Sequence, residues 1–464
     1  MLPDDVLLTV FDFCAGKFEK ELFQQVWQTL VHVCRRWRSL VFGSPHSLNL
    51  KLICTSRTPA RDMLDLWPPL PLVILTNPFL YRYAIQNVDN IVAVLKHRNR
   101  VCRIHIMDMS SSHFKTVLAA MQEPFPELTS LILWTDEKTM TVLPDMFLGG
   151  SAHRLRFLDL VGIPFPGLPN LLLSATHLTY LRLNDIPHSG YFKPEAMTTA
   201  LSALTSLRDL YLGFYSPLSL PDRATRLQPS LERFVLPVLT EFGFKGVSEY
   251  LEDLVVRIDA PLLKNLDITF FNQTLFYTPQ LVQFLSRTSA LKASEKARVH
   301  FGVDSATIKL SSRASDYSVT VKILCENSNR QVSSLERVCT SCLPPLSTLE
   351  DLFIHVSPYW RSDWPDNIEV SLWLELLQPF TAVKNLYLSK EVQSCIMPSL
   401  QEFGRERTAE VLPTLQSIFL EGLERSGPVQ KAIQQYASTR QASRPIAVSR
   451  WDGRGKFYEG SDSR

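Results

Sequence analysis

One pattern constrains this chain more than any other: an apolar residue, two of any kind, an apolar residue, one of any kind, then a third apolar residue. It reads VCRIHI at Val101, LTSLIL at Leu128, LRFLDL at Leu155, LTYLRL at Leu178 and LRDLYL at Leu207. It returns as LTEFGF at Leu239, LKNLDI at Leu263, LEDLFI at Leu349, VKNLYL at Val383 and LQSIFL at Leu415. Successive copies start 27, 27, 23, 29, 32, 24, 86, 34 and 32 residues apart. A repeat on this scale marks a stacked array rather than a single closed core. Within each copy the alternation predicts a short strand with its leucines turned to one side. One such unit cannot bury its own apolar face, so neighbours must stack.

All but the longest spacing lie in or near the range of leucine-rich repeats, roughly 20 to 30 residues. The fold class expected is therefore α/β: strands alternating with return segments, several of them helical. SEYLEDLVVRI (Ser248 to Ile258) and the stretch from Tyr359 to Leu377 read as such helices. The long interval holds two alternating runs, ATIKLS at Ala306 and YSVTVKI at Tyr317, which predict an inserted hairpin or irregular repeats. Proline-rich LWPPLPLVIL, Leu66 to Leu75, marks a passage between the repeats and a helical start.

That start has its own logic. In PDDVLLTVFDF, residues 3 to 13, proline and two acids suit a helix N-terminus, and Leu7, Phe11 and Cys14 recur on one helical face. Leu30, Val33, Cys34, Trp37, Leu40 and Val41 then predict one amphipathic helix. Arg35, Arg36 and Arg38 fall on its other side as a solvated flank, and Gly43, Ser44 and Pro45 end it. A short strand is expected from Ser47.

Composition narrows function. With 464 residues the chain is too long for one ordinary core. Lys plus Arg number 48 and Asp plus Glu 46, so a formal charge of +2 steers nothing globally toward phosphate backbones, and no nucleic-acid partner is expected. Acids stand where a signal peptide would be basic, and no run approaches the ~20 apolar residues of a membrane span. Eight scattered cysteines suit a reducing compartment, and the chain reads as intracellular, cytoplasmic and/or nuclear. Phosphate-loop, dinucleotide and HExxH motifs are missing, so neither catalysis nor a cofactor is expected. Cys339 and Cys342 form a lone CxxC without further metal-ligand spacing and read as buried apolar residues.

Two separated motifs in order suggest a family. LPDDVLLTVFDF at Leu2 to Phe13 and LVHVCRRWRSLV at Leu30 to Val41 resemble the two halves of an F-box. Together with FGSPHSLNLKL, LEDLVVRIDAPLLKNLDITFFNQ and IAVSRWD, they make the chain similar to fungal F-box proteins with irregular leucine-rich repeats. The resemblance implies an F-box over 1–50, a connecting segment over 51–100, and a repeat domain over 101–425 with an irregular insertion around 290–345. A C-terminal helix and tail would fill 426–464. It implies a non-catalytic substrate receptor of an SCF-type ubiquitin ligase, docking on the Skp adaptor and through it on cullin. The residues implied in docking are Leu2, Pro3, Leu7, Leu8, Phe11, Leu30, Val33, Cys34, Trp37, Leu40 and Val41, some facing the adaptor and others the box's own core. Two departures stand out: a long middle segment, Cys14 to Thr29, and no asparagine ladder, since LTYLRLNDI has Ile186 at that place. A repeat scaffold without a ligase role is the alternative.

Alternation also predicts the face that a protein target would meet. Tyr180, Arg182, Asp209, Tyr211, Asn265, Asp267, Phe353, His355, Asn385 and Tyr387 lie between the inward leucines. Aromatic and arginine residues among them have the composition of interface anchors.

Overall fold

The computed structural model describes residues 2–17, 26–44, 51–65, 69–76, 87–135, 142–217, 233–273, 276–288, 294–312, 317–343, 346–358, 364, 368–396, 411–422 and 446–451. The chain divides into two compact units, Met1–Asp209 and Leu210–Arg464.

The first unit opens with three helices, α1 (Asp4–Lys17), α2 (Val26–Val33) and α3 (Arg35–Gly43). Where the spacing predicts one helix from Leu30 to Val41, two are found. Cys34 leaves the helix with φ −158° and ψ 169° and becomes the N-cap of α3, its sulfur accepting from the Trp37 amide at 3.5 Å. An apolar stripe can be continuous in sequence across such a break, because periodicity does not report where a cap intervenes. The strand expected from Ser47 is found only as β1 (Leu52–Cys54); 47–50 lie outside the described residues.

Strand–helix units then follow: β1, α4 (Ala60–Met63), β2 (Leu72–Leu75), α5 (Val88–Leu95), β3 (Val101–Met107), α6 (Ser111–Ala119), β4 (Ser130–Trp134), β5 (Phe157–Val161), α7 (Leu168–Ser174), β6 (Tyr180–Ile186) and α8 (Pro194–Ser202). Strands β1 to β6 pair in sequence order, each parallel to the next. The segment 51–100, expected as a connection, thus already carries two strands of the sheet. Register follows the repeated pattern: Leu131 lies opposite Leu158, which lies opposite Leu181, and Leu133, Leu160 and Leu183 form the next row. All six are buried.

The second unit contains β7 (Asp209–Phe214), β8 (Phe234–Val235), β9 (Glu241–Gly246), α9 (Ser248–Val255), β10 (Ile258–Asp259), β11 (Asn265–Phe270), α10 (Pro279–Arg287), β12 (Lys296–Phe301), β13 (Ser305–Ser311), β14 (Ser318–Leu324), α11 (Ser328–Ser341), β15 (Asp351–Val356), α12 (Val370–Leu377), β16 (Asn385–Leu388), β17 (Ser417–Glu421) and β18 (Ala447–Trp451). Its sheet runs in the order β7-β9-β11-β14-β13-β12-β15-β16-β17-β18. Strand β13 is antiparallel to both neighbours, and the other pairings from β9 to β18 are parallel. The long interval in the repeat therefore holds three strands: the two alternating runs are β13 and β14, and β12 is a third that lacks the leucine pattern. Of the C-terminal helix and tail expected over 426–464, the described part is the buried Ile446 and strand β18; the rest lies outside the described residues.

A recurring turn precedes the strands. Leu128, Leu155, Leu178, Leu207, Leu239, Leu263, Leu349 and Leu415 each donate an amide to the carbonyl three residues earlier. Those acceptors, Phe125, Ala152, Ala175, Leu204, Leu236, Ala260, Leu346 and Leu412, are buried apolar residues as well. The repeat is thus one apolar position longer than the pattern read from sequence. In the second unit buried glutamines serve where an asparagine ladder is lacking. Gln331 donates to the carbonyls of Gly302 (3.0 Å) and Cys325 (2.6 Å), and Gln393 to those of Leu388 (3.3 Å) and Glu421 (2.9 Å). Gln331 thus serves carbonyls just past the ends of β12 and β14, and Gln393 those of the last residues of β16 and β17, supplying donors to strand-end backbone groups.

Candidate binding surfaces

The three N-terminal helices carry two apolar stripes on α1. Leu7 and Phe11 turn inward and are buried; the Phe11 ring meets Trp37 of α3 at a centroid distance of 4.6 Å. Val6, Val10 and Phe13 recur at offsets of four and seven. At about 100° per residue that puts them within roughly 60° of one another, away from the buried stripe, and Leu2 lies just ahead of the helix. Leu2, Val6, Val10 and Phe13 are 55%, 40%, 45% and 63% exposed. Across the break at Cys34, Val33 is 57% exposed. Arginines hold the helices together: Arg36 Nε donates to Asp4 Oδ1 at 3.1 Å and its Nη2 to the Leu2 carbonyl at 2.6 Å, while Arg38 Nε donates to the Val31 carbonyl at 3.0 Å. Two of the three arginines expected as a solvated flank therefore clasp one helix to another.

Burial sorts the residues that the F-box resemblance implies. Leu7, Phe11 and Val41 are core; Leu8, Leu30, Trp37 and Leu40 are half-buried; Leu2, Pro3, Val33 and Cys34 are exposed. Cys14 lies in α1, but its side chain is outside the described residues. Sequence reasoning missed Val6, Val10 and Phe13. Their signal was present as a second helical stripe beginning at Val6.

On the first unit's sheet, the face between the inward leucines gathers Tyr180 and Arg182 with two residues not singled out from sequence, Phe157 and Asp159; Asp209, the unit's last residue, opens β7. Phe157 and Tyr180 are register partners whose rings stack at 4.1 Å and 5°. Asp159 and Arg182 are partners in the next row. Asp159 is only 8% exposed, and burial pushes its carboxyl up to about 6, partly offset by Arg182. Burial also raises the Tyr180 hydroxyl and the Asp209 carboxyl above their ordinary values.

In the second unit the same face carries a row of rings. Phe353, Tyr387 and Phe419 are register partners on β15, β16 and β17. Their rings stack at 4.1 Å and 4.4 Å, each pair within 9° of parallel. Adjacent strands lie about 4.8 Å apart, so rings standing on neighbouring strands in one register stack face to face. Trp451 of β18 lies edge-on to Phe353 at 6.1 Å and to Tyr387 at 5.7 Å, and the Arg298 guanidinium covers Phe353 at 5.3 Å. Beside the row, His300 and His355 stack at 4.6 Å. Of the other residues expected on this face, Asn265 donates to Glu241 at 2.8 Å, Asn385 donates to Asp351 at 2.8 Å, and Asp267 is exposed. Tyr211 packs its ring against Gly243, where a Cβ would meet Tyr211 Cδ2 at 2.3 Å.

Cys339 and Cys342 are buried at the end of α11, and burial pushes the Cys342 thiol up to about 12 and the Cys339 thiol further. Thiols held protonated in this way are poor metal ligands and nucleophiles at neutral pH. Among the described residues no group of three or more His, Cys, Asp or Glu is arranged to hold a metal ion, and no helix is long and apolar enough to cross a membrane. No protein-family model matches the chain, and no curated protein matches it in a sequence search.

Proposed function

We propose that this chain is the non-catalytic receptor subunit of an SCF-type ubiquitin ligase. In this reading the N-terminal helices are an F-box that docks on the Skp adaptor, and through it on cullin. The strand–helix units form an irregular leucine-rich-repeat solenoid that holds a protein target. The observation that carries the reading is the second apolar stripe of α1. Val6, Val10 and Phe13 expose an apolar strip on a helix whose other stripe already supplies the local core, and Leu2, just ahead of the helix, is exposed as well. A three-helix element of this size has little core of its own, and spare apolar surface on it is characteristic of a protein contact. The strip lies in the same segment whose residues resemble the first half of an F-box, and that coincidence supports the adaptor as its occupant.

The assay is co-purification of the full-length chain with the Skp adaptor. Val6→Asp combined with Val10→Asp is expected to abolish the complex while leaving thermal unfolding of the chain unchanged. An adaptor complex of unaltered strength would remove the docking assignment. Absence of any complex with the native chain would instead favour a repeat scaffold without a ligase role.

A further inference from the structure

The second unit's open face is more specific than a generic contact surface. Its aromatic row continues sideways into cationic residues. From Phe353 the same register leads to Arg298 on β12, to Lys309 on β13 and to Thr320 on β14. One row along, His355 is followed by His300, Thr307 and Lys322. Lys309 is exposed, and Arg298 and Lys322 are half-buried. Glu350 is neutralised by Lys384 at 2.6 Å; Asp351 and Glu241 accept from Asn385 and Asn265 and keep their charge, Asp351 opposite Lys296 and Glu241 two strands away from Lys322. Asp267 and Glu421 lie toward opposite ends of the band, beside Thr320 and opposite Trp451. The middle of the band is left with an excess of positive charge.

The rings decide between ligand classes. A nucleobase binds aromatic side chains by stacking on their faces. Here both faces of Phe353 and Tyr387 are taken, by each other, by Phe419 and by Arg298, so a nucleobase is left only the outer face of Phe419. Ring edges carry the positive part of the aromatic quadrupole and attract oxygen atoms. Trp451 already meets the edges of Phe353 and Tyr387, so the cationic strip of Arg298, Lys309 and Lys322 carries the preference: it suits a chain rich in carboxylate oxygen, and the rim of Trp451 gives an apolar side chain something to lean on.

Building on the receptor reading, we propose that this band binds an extended acidic segment of the protein target, laid across the strands. Its carboxylates meet Arg298, Lys309 and Lys322, and an apolar residue packs at Tyr387, Phe419 and Trp451. The experiment is fluorescence anisotropy with the full-length protein and three labelled probes: a dodecapeptide repeating Glu-Glu-Leu, the same peptide with Lys for Glu, and an oligothymidylate of equal length. The acidic peptide is expected to bind, with affinity falling about tenfold or more in the Lys309→Glu, Lys322→Glu double variant. Tyr387→Ala is expected to weaken it by a smaller factor. The lysine peptide and the oligothymidylate are expected not to bind. Matched thermal unfolding curves keep the charge variant interpretable. The proposal is overturned if the acidic peptide does not bind, if charge reversal leaves its affinity unchanged, or if the oligothymidylate binds more tightly through the same lysines. Adaptor capture by the same preparations separates the two ideas: losing it with peptide binding intact removes the ligase reading alone, and the converse removes this proposal alone.

Discussion

Asp159 shows how a sheet face can store charge. Its carboxyl is pushed from 3.8 to about 6 by burial, and Arg182 recovers only part of that. The folded state therefore binds the extra proton more readily than the unfolded chain. Stability falls as pH rises from about 4 to about 6, by on the order of 2 to 3 kcal/mol from this group. Asp159→Asn is expected to be more stable than the native chain at pH 7 and nearly equal to it at pH 4, read from urea unfolding at the two pH values. A gap of the same size at both would contradict the assignment. Gly162 is constrained differently: with φ +70° its Cβ would stand 2.4 Å from the Thr135 carbonyl oxygen. Gly162→Ala should cost at least about 1 to 3 kcal/mol, seen as a lower unfolding midpoint. Neither effect was legible in sequence. Asp159 was not singled out from sequence, and its burial beside stacked Phe157 and Tyr180 depends on a register that only pairing reveals.

At the scale of elements, the two stripes of α1 make opposite predictions. Phe11→Ala removes a buried ring tilted against Trp37 and should cost about 3 to 5 kcal/mol. Val6→Asp and Val10→Asp change exposed positions and should alter stability by no more than about 0.5 kcal/mol each. Helix α10 gives a second case. Thr278 makes no side-chain cap, and the buried Glu252 of α9 accepts instead from the amides of Gln280 at 3.0 Å and Leu281 at 2.8 Å. Glu252→Ala should destabilise by about 1 to 2 kcal/mol, with faster amide exchange at Gln280 and Leu281 as the local signature. All ten copies of the apolar pattern are strands, because an alternation held in phase by stacked leucines leaves little choice of structure. What escaped is what the pattern does not encode. The stripe from Leu30 to Val41 conceals a cap at Cys34, β12 fills its inward face with Ala297, Val299 and Phe301 instead of leucine, and β2 lies inside a proline-rich passage.

For the whole molecule, the first unit carries the apolar helix surface and the second the basic, aromatic sheet face. In the receptor reading proposed above, these two surfaces are the adaptor and target contacts. The residues that suggested target binding were legible because strand alternation sorts side chains by face. Their partners in each row were not, since register across 86 residues and a reversed strand cannot be counted from one sequence. The most direct test of the account is capture of the Skp adaptor by the full-length native chain and by the Val6→Asp, Val10→Asp variant. A stoichiometric complex with the native chain and none with the equally stable variant is the expected result; equal capture by both, or by neither, would contradict it.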